Sequence, residues 1–503
     1  MKGKIVGILG LLLTLCLFMT VATADPWWNP TTSQFLTSGN VQNLLSRVSL
    51  YGILGIGVAF VIITSGIDLS IGSLVCLSGV LLSLFLHVDY LPFETHPVVS
   101  VSKADSSFAV RGNAGSFAPG ARFRYVGGKA RNRVFTIETV TEDTSTGQVV
   151  LVTAETPARD DDSGEIIPVQ SVTVRPSDGS HQYSAELRFP AHEGLRIQPR
   201  DRLTIVNATD GVTTQDVVNV VLNKAGLNVH LRNDPGIRFS ENCSAYVEQR
   251  HQRMSVPMAL VLVLLIAAGL GLIHGLLSTR ARLQPFVVTL CGLLIYRGLS
   301  RWLTNDDPAG FGEFQEILGV IPTKRLTLVS NANGPVFGIP YPFFFLIVIG
   351  SIAAIFLGKT IWGRYLLALG RSETAARYSG INTQRVTLCA YVICSTLAAI
   401  GGILFSLDSR SISPSSFGNF FELYAIAAAV LGGCSLRGGE GSIIGVVIGT
   451  AVMQVLNNMI MLLGVSQQLE FAIIGLVILL GVLSDEFVRR IAAQRRLAQS
   501  RNL

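Results

Sequence analysis

Charged side chains are scarce in this sequence. Only 14% of its 503 residues are Asp, Glu, Lys or Arg, against about a quarter in an ordinary soluble domain. Such a shortage over this length excludes a simple water-soluble globule. The 49% hydrophobic content and a mean hydropathy of +0.49 point to a membrane protein. Metal-site patterns are missing too: the seven cysteines include no CxxC pair and no Cys/His cluster at ligand spacing. Cys16, Cys76, Cys291, Cys389 and Cys394 stand in apolar runs, Cys434 in a glycine-rich loop and Cys243 in a polar block, so they read as small apolar side chains. No basic face or nucleic-acid module accompanies the net charge of +6, so nucleic acid is not an expected partner. A phosphate loop is absent as well. The stretch 432–442 is rich in glycine but lacks the GxxxxGKS/T order, and Gly358-Lys359-Thr360 has Ala353 where that motif needs its first glycine. This chain is therefore expected to bind no ATP and no other cofactor, and it shows no hydrolytic or nucleophilic constellation.

The few charges are unevenly spread. Of 39 Lys/Arg and 33 Asp/Glu, residues 94–253 hold 18 and 19, so this block reads as a water-soluble domain. Around it lie runs apolar enough to cross a bilayer as helices: 5–21, 50–64 and 71–88 before it, then 257–277, 285–303, 342–357, 386–407, 423–432, 443–463 and 469–483. The first run is a signal-peptide candidate, because Ala22-Thr23-Ala24 resembles a cleavage site. Lys and Arg in short loops set orientation. Lys2 and Lys4 place the N-terminus inside. Arg280 and Arg282 mark an inside loop, Lys359, Arg364, Arg371, Arg377 and Arg385 a longer one, and Arg489, Arg490, Arg495, Arg496 and Arg501 an inside tail. All four agree if 423–432 makes one short crossing, and the soluble block then falls outside. The expected fold class is an all-α polytopic membrane protein of about 8–9 transmembrane helices with an inserted β-rich soluble domain. Its expected parts are helices 1–3 in residues 1–93, the insert in 94–253, further helices in 254–488 with a cytoplasmic segment at 359–385, and a basic tail in 489–503.

Within the insert, 133–139 and 148–154 are β-branched runs joined by the turn-like Thr144-Ser145-Thr146-Gly147. Residues 169–174, 183–189 and 201–206 are further strand candidates, and 213–225 reads as a helix. A β-sandwich or barrel is expected. Asp160-Asp161-Asp162 with Glu165 does not fit the calcium-loop spacing and reads as a solvated loop, with no metal expected.

Polar residues inside the apolar runs are the candidate functional positions. Asp68, Ser70, Gly72 and Ser73 lie in a polar break between two apolar runs. Irregular backbone at membrane depth survives only against protein or water. The break is either a pore element or an inner turn in which Asp68 caps the next helix. Asn457 and Asn458, with Gln454 one turn earlier, serve either helix packing or the translocation path. His274 has the same two readings, and Arg297 needs a partner that the sequence does not name.

Five stretches resemble the ribose-type sugar permeases of ABC importers, which are grouped with the branched-chain amino-acid permeases. The first is Thr64-Ser65-Gly66-Ile67-Asp68-Leu69-Ser70-Ile71-Gly72-Ser73, close to the family's GGIDLSVGS, with Ser65 and Ile71 as departures. Gln284-Pro285-Phe286 through Tyr296-Arg297-Gly298 follows. Next come Gly363-Arg364-Tyr365 through Gly380-Ile381-Asn382, the alanine- and glycine-rich stretch at 422–441, and Leu456-Asn457-Asn458. The resemblance covers most of 40–90 and 257–487 and says nothing of the soluble block.

The resemblance implies a permease that moves a monosaccharide by alternating access. It implies an ATPase subunit that carries the ATP, an external sugar-binding protein, a second permease protomer of the same or a related chain, and a place in a bacterial inner membrane. Gly363, Arg364, Arg371, Glu373, Ala376, Arg377, Gly380 and Asn382 would form a short helix docking on the ATPase; otherwise this is an ordinary basic loop. An uncleaved first helix is also implied. The alternatives are uptake of another small solute such as a branched-chain amino acid, or an ion-coupled secondary transporter, for which Asp68 and Glu470 are the nearest intramembrane carboxylates. A membrane-anchored sensor or adhesion protein would need only one or two helices.

Overall fold

The structure is a computed structural model. It describes residues 2–466 except 28, 113, 128–132, 144–147, 177–182, 188–196, 207–211, 224–225, 233–242 and 332–333, together with 469, 472–473, 475–476 and 479. The expected helix at 469–483, the tail at 489–503, Glu470 and the turn at 144–147 lie largely or wholly outside the described residues. The chain divides into two compact units, one made of Met1–His87 with Met254–Leu503 and the other of Val88–Arg253.

The first unit is helical. Its elements are α1 (Lys2–Ala22), α2 (Ser38–Ile63), α3 (Ile71–Phe85), α4 (Val256–Thr279), α5 (Pro285–Thr304), α6 (Phe314–Leu318), α7 (Val320–Thr323), α8 (Tyr341–Lys359), α9 (Ile361–Arg371), α10 (Glu373–Tyr378), α11 (Thr383–Ser409), α12 (Phe421–Leu431) and α13 (Ile443–Leu462). Pro257, Pro285 and Pro342 stand in the first turns of α4, α5 and α8. A missing N–H is harmless there, so these prolines start helices rather than break them. Among the described residues, seven helices (α1, α2, α4, α5, α8, α11 and α13) are long and apolar enough to cross a membrane. The run at 71–88 is helical only to Phe85, and α3 and α12 have 15 and 11 residues, short for a full span.

Burial separates roles within these helices. Most of α2 is enclosed, and it packs on α8, α11, α12 and α13. Most of α1, α4, α5 and α8 is apolar yet not buried against the rest of the protein, the pattern of helices facing lipid. Between α7 and α8 lies a hairpin of Arg325–Asn331 and Gly334–Pro340. Its Arg325 donates to Gln42 and Asn43 of α2.

The second unit has twelve strands: β1 (Val88–Pro92), β2 (His96–Ser102), β3 (Ser107–Arg111), β4 (Arg122–Val126), β5 (Val134–Asp143), β6 (Gln148–Thr153), β7 (Glu165–Pro176), β8 (Tyr183–Leu187), β9 (Arg202–Val206), β10 (Val212–Asn223), β11 (Gly226–Leu231) and β12 (Cys243–Gln252). It begins six residues before the expected boundary at 94, because β1 pairs with β12 and Arg253 bonds Asp89 (2.9 Å). Its two ends are thus adjacent, as a unit set between two helices requires.

The pairing forms two closed six-stranded rings. One runs β2-β3-β6-β5-β4-β7 and returns to β2; the other runs β7-β8-β11-β10-β9-β12 and returns to β7. The second order is the first with five added to every strand number, and β7 belongs to both rings. The halves also share local sequence. Phe117-Ala118-Pro119-Gly120-Ala121-Arg122 precedes β4 as Ile197-Gln198-Pro199-Arg200-Asp201-Arg202 leads into β9. Gly120 and Arg200 adopt φ of 85° and 80°, and their N–H groups bond the carbonyls of Ile137 and Val217 at 2.7 and 2.8 Å. Each ring has its own core, built around Phe108, Phe123, Tyr125 and Phe135 in one and Leu203, Ile205, Val229 and Leu231 in the other. Ring closure leaves few free strand edges.

Two expectations fail here. The segment at 213–225 is strand β10, not a helix, paired with β9 and β11. Its Val and Thr residues are stiff at χ1 and gain more from sheet packing than from a helix. Asp161 is not solvated: it is buried, and its carboxylate accepts from Tyr125 Oη (2.9 Å) and Ser163 Oγ (3.0 Å). Burial first, and then that carboxylate, push the Tyr125 phenol above its usual range.

Arg200 carries a side chain in the left-handed region where its counterpart is glycine, at a cost of roughly 1 kcal/mol. Arg200→Gly is expected to slow amide exchange in β9 and β10 about fivefold. Unchanged or faster exchange would show that the Arg200 turn is not strained.

Candidate functional site

Three side-chain caps divide the segment after α8. Thr360 Oγ1 accepts from the Gly363 N–H (3.1 Å) and starts α9, Ser372 Oγ accepts from Ala375 (3.2 Å) and starts α10, and Asn382 Oδ1 accepts from Arg385 (3.1 Å) and starts α11. Thr360 is thus a helix cap and not part of a phosphate loop. On α9, Gly363, Leu366, Leu369 and Gly370 are buried while Arg364 and Arg371 are exposed. On α10, Ala376 is buried and Glu373 and Arg377 are exposed; Gly380 follows at φ 82°, and Tyr378 is 93% exposed. The segment expected to contact an ATPase is therefore amphipathic, with Gly363, Gly370 and Ala376 inward and its charges, Gly380 and Asn382 outward.

The end of α9 meets the end of α2. A Cβ on Gly370 would lie 1.8 Å from the Ile63 carbonyl oxygen and 2.3 Å from the Gly439 nitrogen. Gly439 N–H donates to that same Ile63 carbonyl (2.9 Å). Ser65 Oγ lies 2.9 Å from the Arg437 carbonyl and 3.2 Å from the Gly370 carbonyl. The glycine-rich stretch at 432–442 is accordingly a packing loop between α12 and α13.

Five residues beyond Ile63 the chain enters the bundle. Asp68 is fully buried, and its Oδ1 accepts from Ser70 N–H (2.9 Å) and Ser70 Oγ (2.6 Å). The donor, Ser70, is the residue preceding α3, so Asp68 closes a local turn and does not cap the helix's own amides. It lies within electrostatic reach of His274 on α4, Tyr296 on α5, and Tyr391 and Cys394 on α11. Thr289 Oγ1 lies 3.2 Å from the Ile67 carbonyl and 3.0 Å from that of Pro285. Ser73 is buried, and Gly72 lies against Glu422 and Gly418.

Two residues with open roles gain partners. His274 Nε2 and Tyr296 Oη are hydrogen-bonded at 2.8 Å, joining α4 to α5. Arg297 donates to the carbonyls of Pro414 (2.9 Å) and Phe417 (2.6 Å), ahead of α12. Backbone carbonyls, not a carboxylate alone, satisfy this cation.

At the other end of α2 is a cavity of about 400 Å³, lined by Arg47, Tyr51, Tyr424, Asn457, Ile460, Met461 and Val465. Tyr51 and Tyr424 pack at 5.5 Å between ring centroids. The two neighbouring asparagines part company here. Asn457 lines the cavity, whereas Asn458 exchanges hydrogen bonds with Asn40 of α2 (2.7 and 3.1 Å). Tyr51 and Tyr424 cannot be singled out from the sequence, because an aromatic residue in an apolar run looks the same whether it faces lipid, core or cavity. Among the described residues, no group of His, Cys, Asp and Glu is placed to hold a metal ion.

Residues 236–482 match the family described as the permease component of branched-chain amino acid transport systems. The ribose import permease of Escherichia coli K12 is 36% identical over 230 residues, covering 45% of this chain and 68% of that protein. The chain belongs to this ABC transporter permease family. The ribose import permease of Haemophilus influenzae is 34% identical over 239 residues (47% of this chain, 71% of that protein), and the fructose import permease of Bifidobacterium longum 27% over 262 (52% and 70%). Membership together with the seven apolar helices makes this a multi-pass membrane permease, a transport component rather than a catalyst.

Proposed function

We propose that this permease forms the translocation pathway for a monosaccharide in an ATP-driven importer of a bacterial inner membrane. The observation that carries the reading is the 36% identity to a ribose import permease across 68% of its length. The pathway would run through about 8–9 transmembrane helices and include the cavity at Arg47, Tyr51, Tyr424 and Asn457, and the buried loop of Asp68, Ser70, Gly72 and Ser73. A cavity of about 400 Å³ lies within the usual range of small-molecule sites, and tyrosine faces with an amide suit a neutral, hydroxyl-rich solute. Both termini would be cytoplasmic, as the Lys/Arg bias supports. The segment of Gly363, Arg364, Arg371, Glu373, Ala376, Arg377, Gly380 and Asn382 would dock on a separate ATPase subunit that binds the ATP. A second permease protomer and an external sugar-binding protein would complete the assembly, with the unit at Val88–Arg253 on the outer side.

The test is a gentle detergent pull-down of C-terminally tagged protein with mass spectrometry of what accompanies it. An ATPase bearing the GxxxxGKS/T motif is expected. Its absence, with solute uptake that survives ATP depletion and collapses with the proton gradient, would favour an ion-coupled carrier instead.

Three further outcomes are expected. Asn457→Ala should lower sugar uptake about tenfold with normal membrane levels, since it removes a polar group from the cavity wall. Asn458→Ala should leave substrate preference unchanged and cost roughly 1 kcal/mol of stability, because it strands Asn40. Uptake and melting in detergent would separate the two, and equal effects on uptake would remove the cavity from the pathway. Replacing residues 88–253 with a short linker should leave a membrane-inserted helical unit, because the ends of the β unit are adjacent. Loss of insertion would count against two independently folding units.

A further inference from the structure

We propose that Ser65 is a positioning residue that ties the ATPase-docking segment to the substrate-side loop at Asp68. The inference rests on α9–α10 being that docking segment. Ser65 sits between the end of α2 and Asp68, and its φ of 65° is a conformation that favours glycine. A side chain held there at a steric cost needs a compensating contact, and the hydroxyl supplies one. It lies 2.9 Å from the Arg437 carbonyl and 3.2 Å from the Gly370 carbonyl. A serine has one hydrogen to donate, so it serves either acceptor in turn, and both stay within reach of one atom.

The surroundings make that atom a junction of three segments. Gly370 is the penultimate residue of α9, Arg437 belongs to the loop between α12 and α13, and Ser65 lies three residues ahead of Asp68. The Gly439 N–H bond to the Ile63 carbonyl and the close seating of Gly370 on that carbonyl hold the backbones together on the same side. No side chain can enter between Gly370 and Ile63, so a shift of α9 is passed directly to the end of α2. The hydroxyl adds a directional tie from that contact to the loop that carries Asp68. Thr289, from α5, has the Ile67 carbonyl of the same loop within reach (3.2 Å), beside the Pro285 carbonyl of its own helix (3.0 Å).

The experiment compares Ser65→Ala, Ser65→Gly and Ser65→Asn in the full chain. Glycine relieves the φ strain without a donor, whereas asparagine tolerates the left-handed region and restores one. Hydrogen exchange of the permease alone should speed up about fivefold in peptides covering Gly370 and Gly439 for the alanine and glycine variants, but not for asparagine. In the complex with its ATPase, the first two should keep ATPase capture and ATP turnover while sugar moved per ATP falls about fivefold; asparagine should recover most of that ratio. Unchanged exchange in Ser65→Gly, or exchange that rises with no change in sugar per ATP, overturns the proposal. Failure of the unaltered chain to capture any ATPase would instead overturn the docking reading, and the exchange arm would still decide whether Ser65 ties the segments.

Discussion

Changing Arg371, Glu373 and Arg377 together to alanine is expected to abolish ATP-driven uptake, to below about one-hundredth, while the permease still reaches the membrane. These side chains are exposed on α9 and α10, whereas the residues that seat the segment, Gly363, Leu366, Leu369, Gly370 and Ala376, are buried. Removing exposed charges costs the fold little, because solvent-exposed ion pairs contribute about 0–1 kcal/mol. At an interface the same charges set partner choice and register. The loss should therefore appear in ATPase capture and not in melting of the permease. A triple variant that binds its ATPase and transports normally would show that this face is an ordinary basic loop.

The second large effect is expected at Gly370. Its Cβ would fall 1.8 Å from the Ile63 carbonyl oxygen and 2.3 Å from the Gly439 nitrogen, distances at which backbone and not a flexible side chain must yield. Gly370→Ala should cost on the order of 3 kcal/mol, seen as a lower melting temperature and poor recovery from the membrane. Gly358→Ala is the control, since nothing lies near a Cβ there. Equal melting for the two variants would mean that α9 and α2 do not meet as described.

Much of the helical plan is legible because a bilayer reads hydrophobicity over about 20 residues. The runs at 257–277, 285–303 and 386–407 reappear as α4, α5 and α11 with small shifts at their ends. The short crossing expected at 423–432 reappears as the 11-residue α12, which the Gly432–Gly433 loop follows at once. A hydropathy window does not register where a helix stops: the apolar run at 71–88 is helical only to Phe85. The β unit was legible as β-rich but not in its order. Closure of each ring depends on pairings such as β4 with β7 and β7 with β12, far apart in sequence, and β7 escaped notice as a strand shared by two rings. The strand β10 was misread because its alternation is interrupted by the bulge between Val217 and Asn219.

The candidate site divides in the same way. The capping residues Thr360, Ser372 and Asn382 act locally, within three residues of their partners, so the short helices carrying Arg371, Glu373 and Arg377 can be read from sequence. The junction at Ser65 cannot: its acceptors lie 305 and 372 residues away. Nor could the sequence separate Asn457 from Asn458. They are adjacent on one helix, and a rotation of 100° per residue turns one to a cavity and the other to Asn40.

On the proposed function, this chain passes a monosaccharide under ATP control. The most direct measurement is uptake of labelled ribose, fructose and leucine into proteoliposomes containing the permease, its copurified ATPase and its binding protein, with ATP or a non-hydrolysable analogue inside. ATP-dependent accumulation of one of the sugars, absent with the analogue and with leucine, is the result expected. Accumulation of leucine alone, or sugar uptake that is indifferent to ATP and driven by an imposed proton gradient, would contradict it.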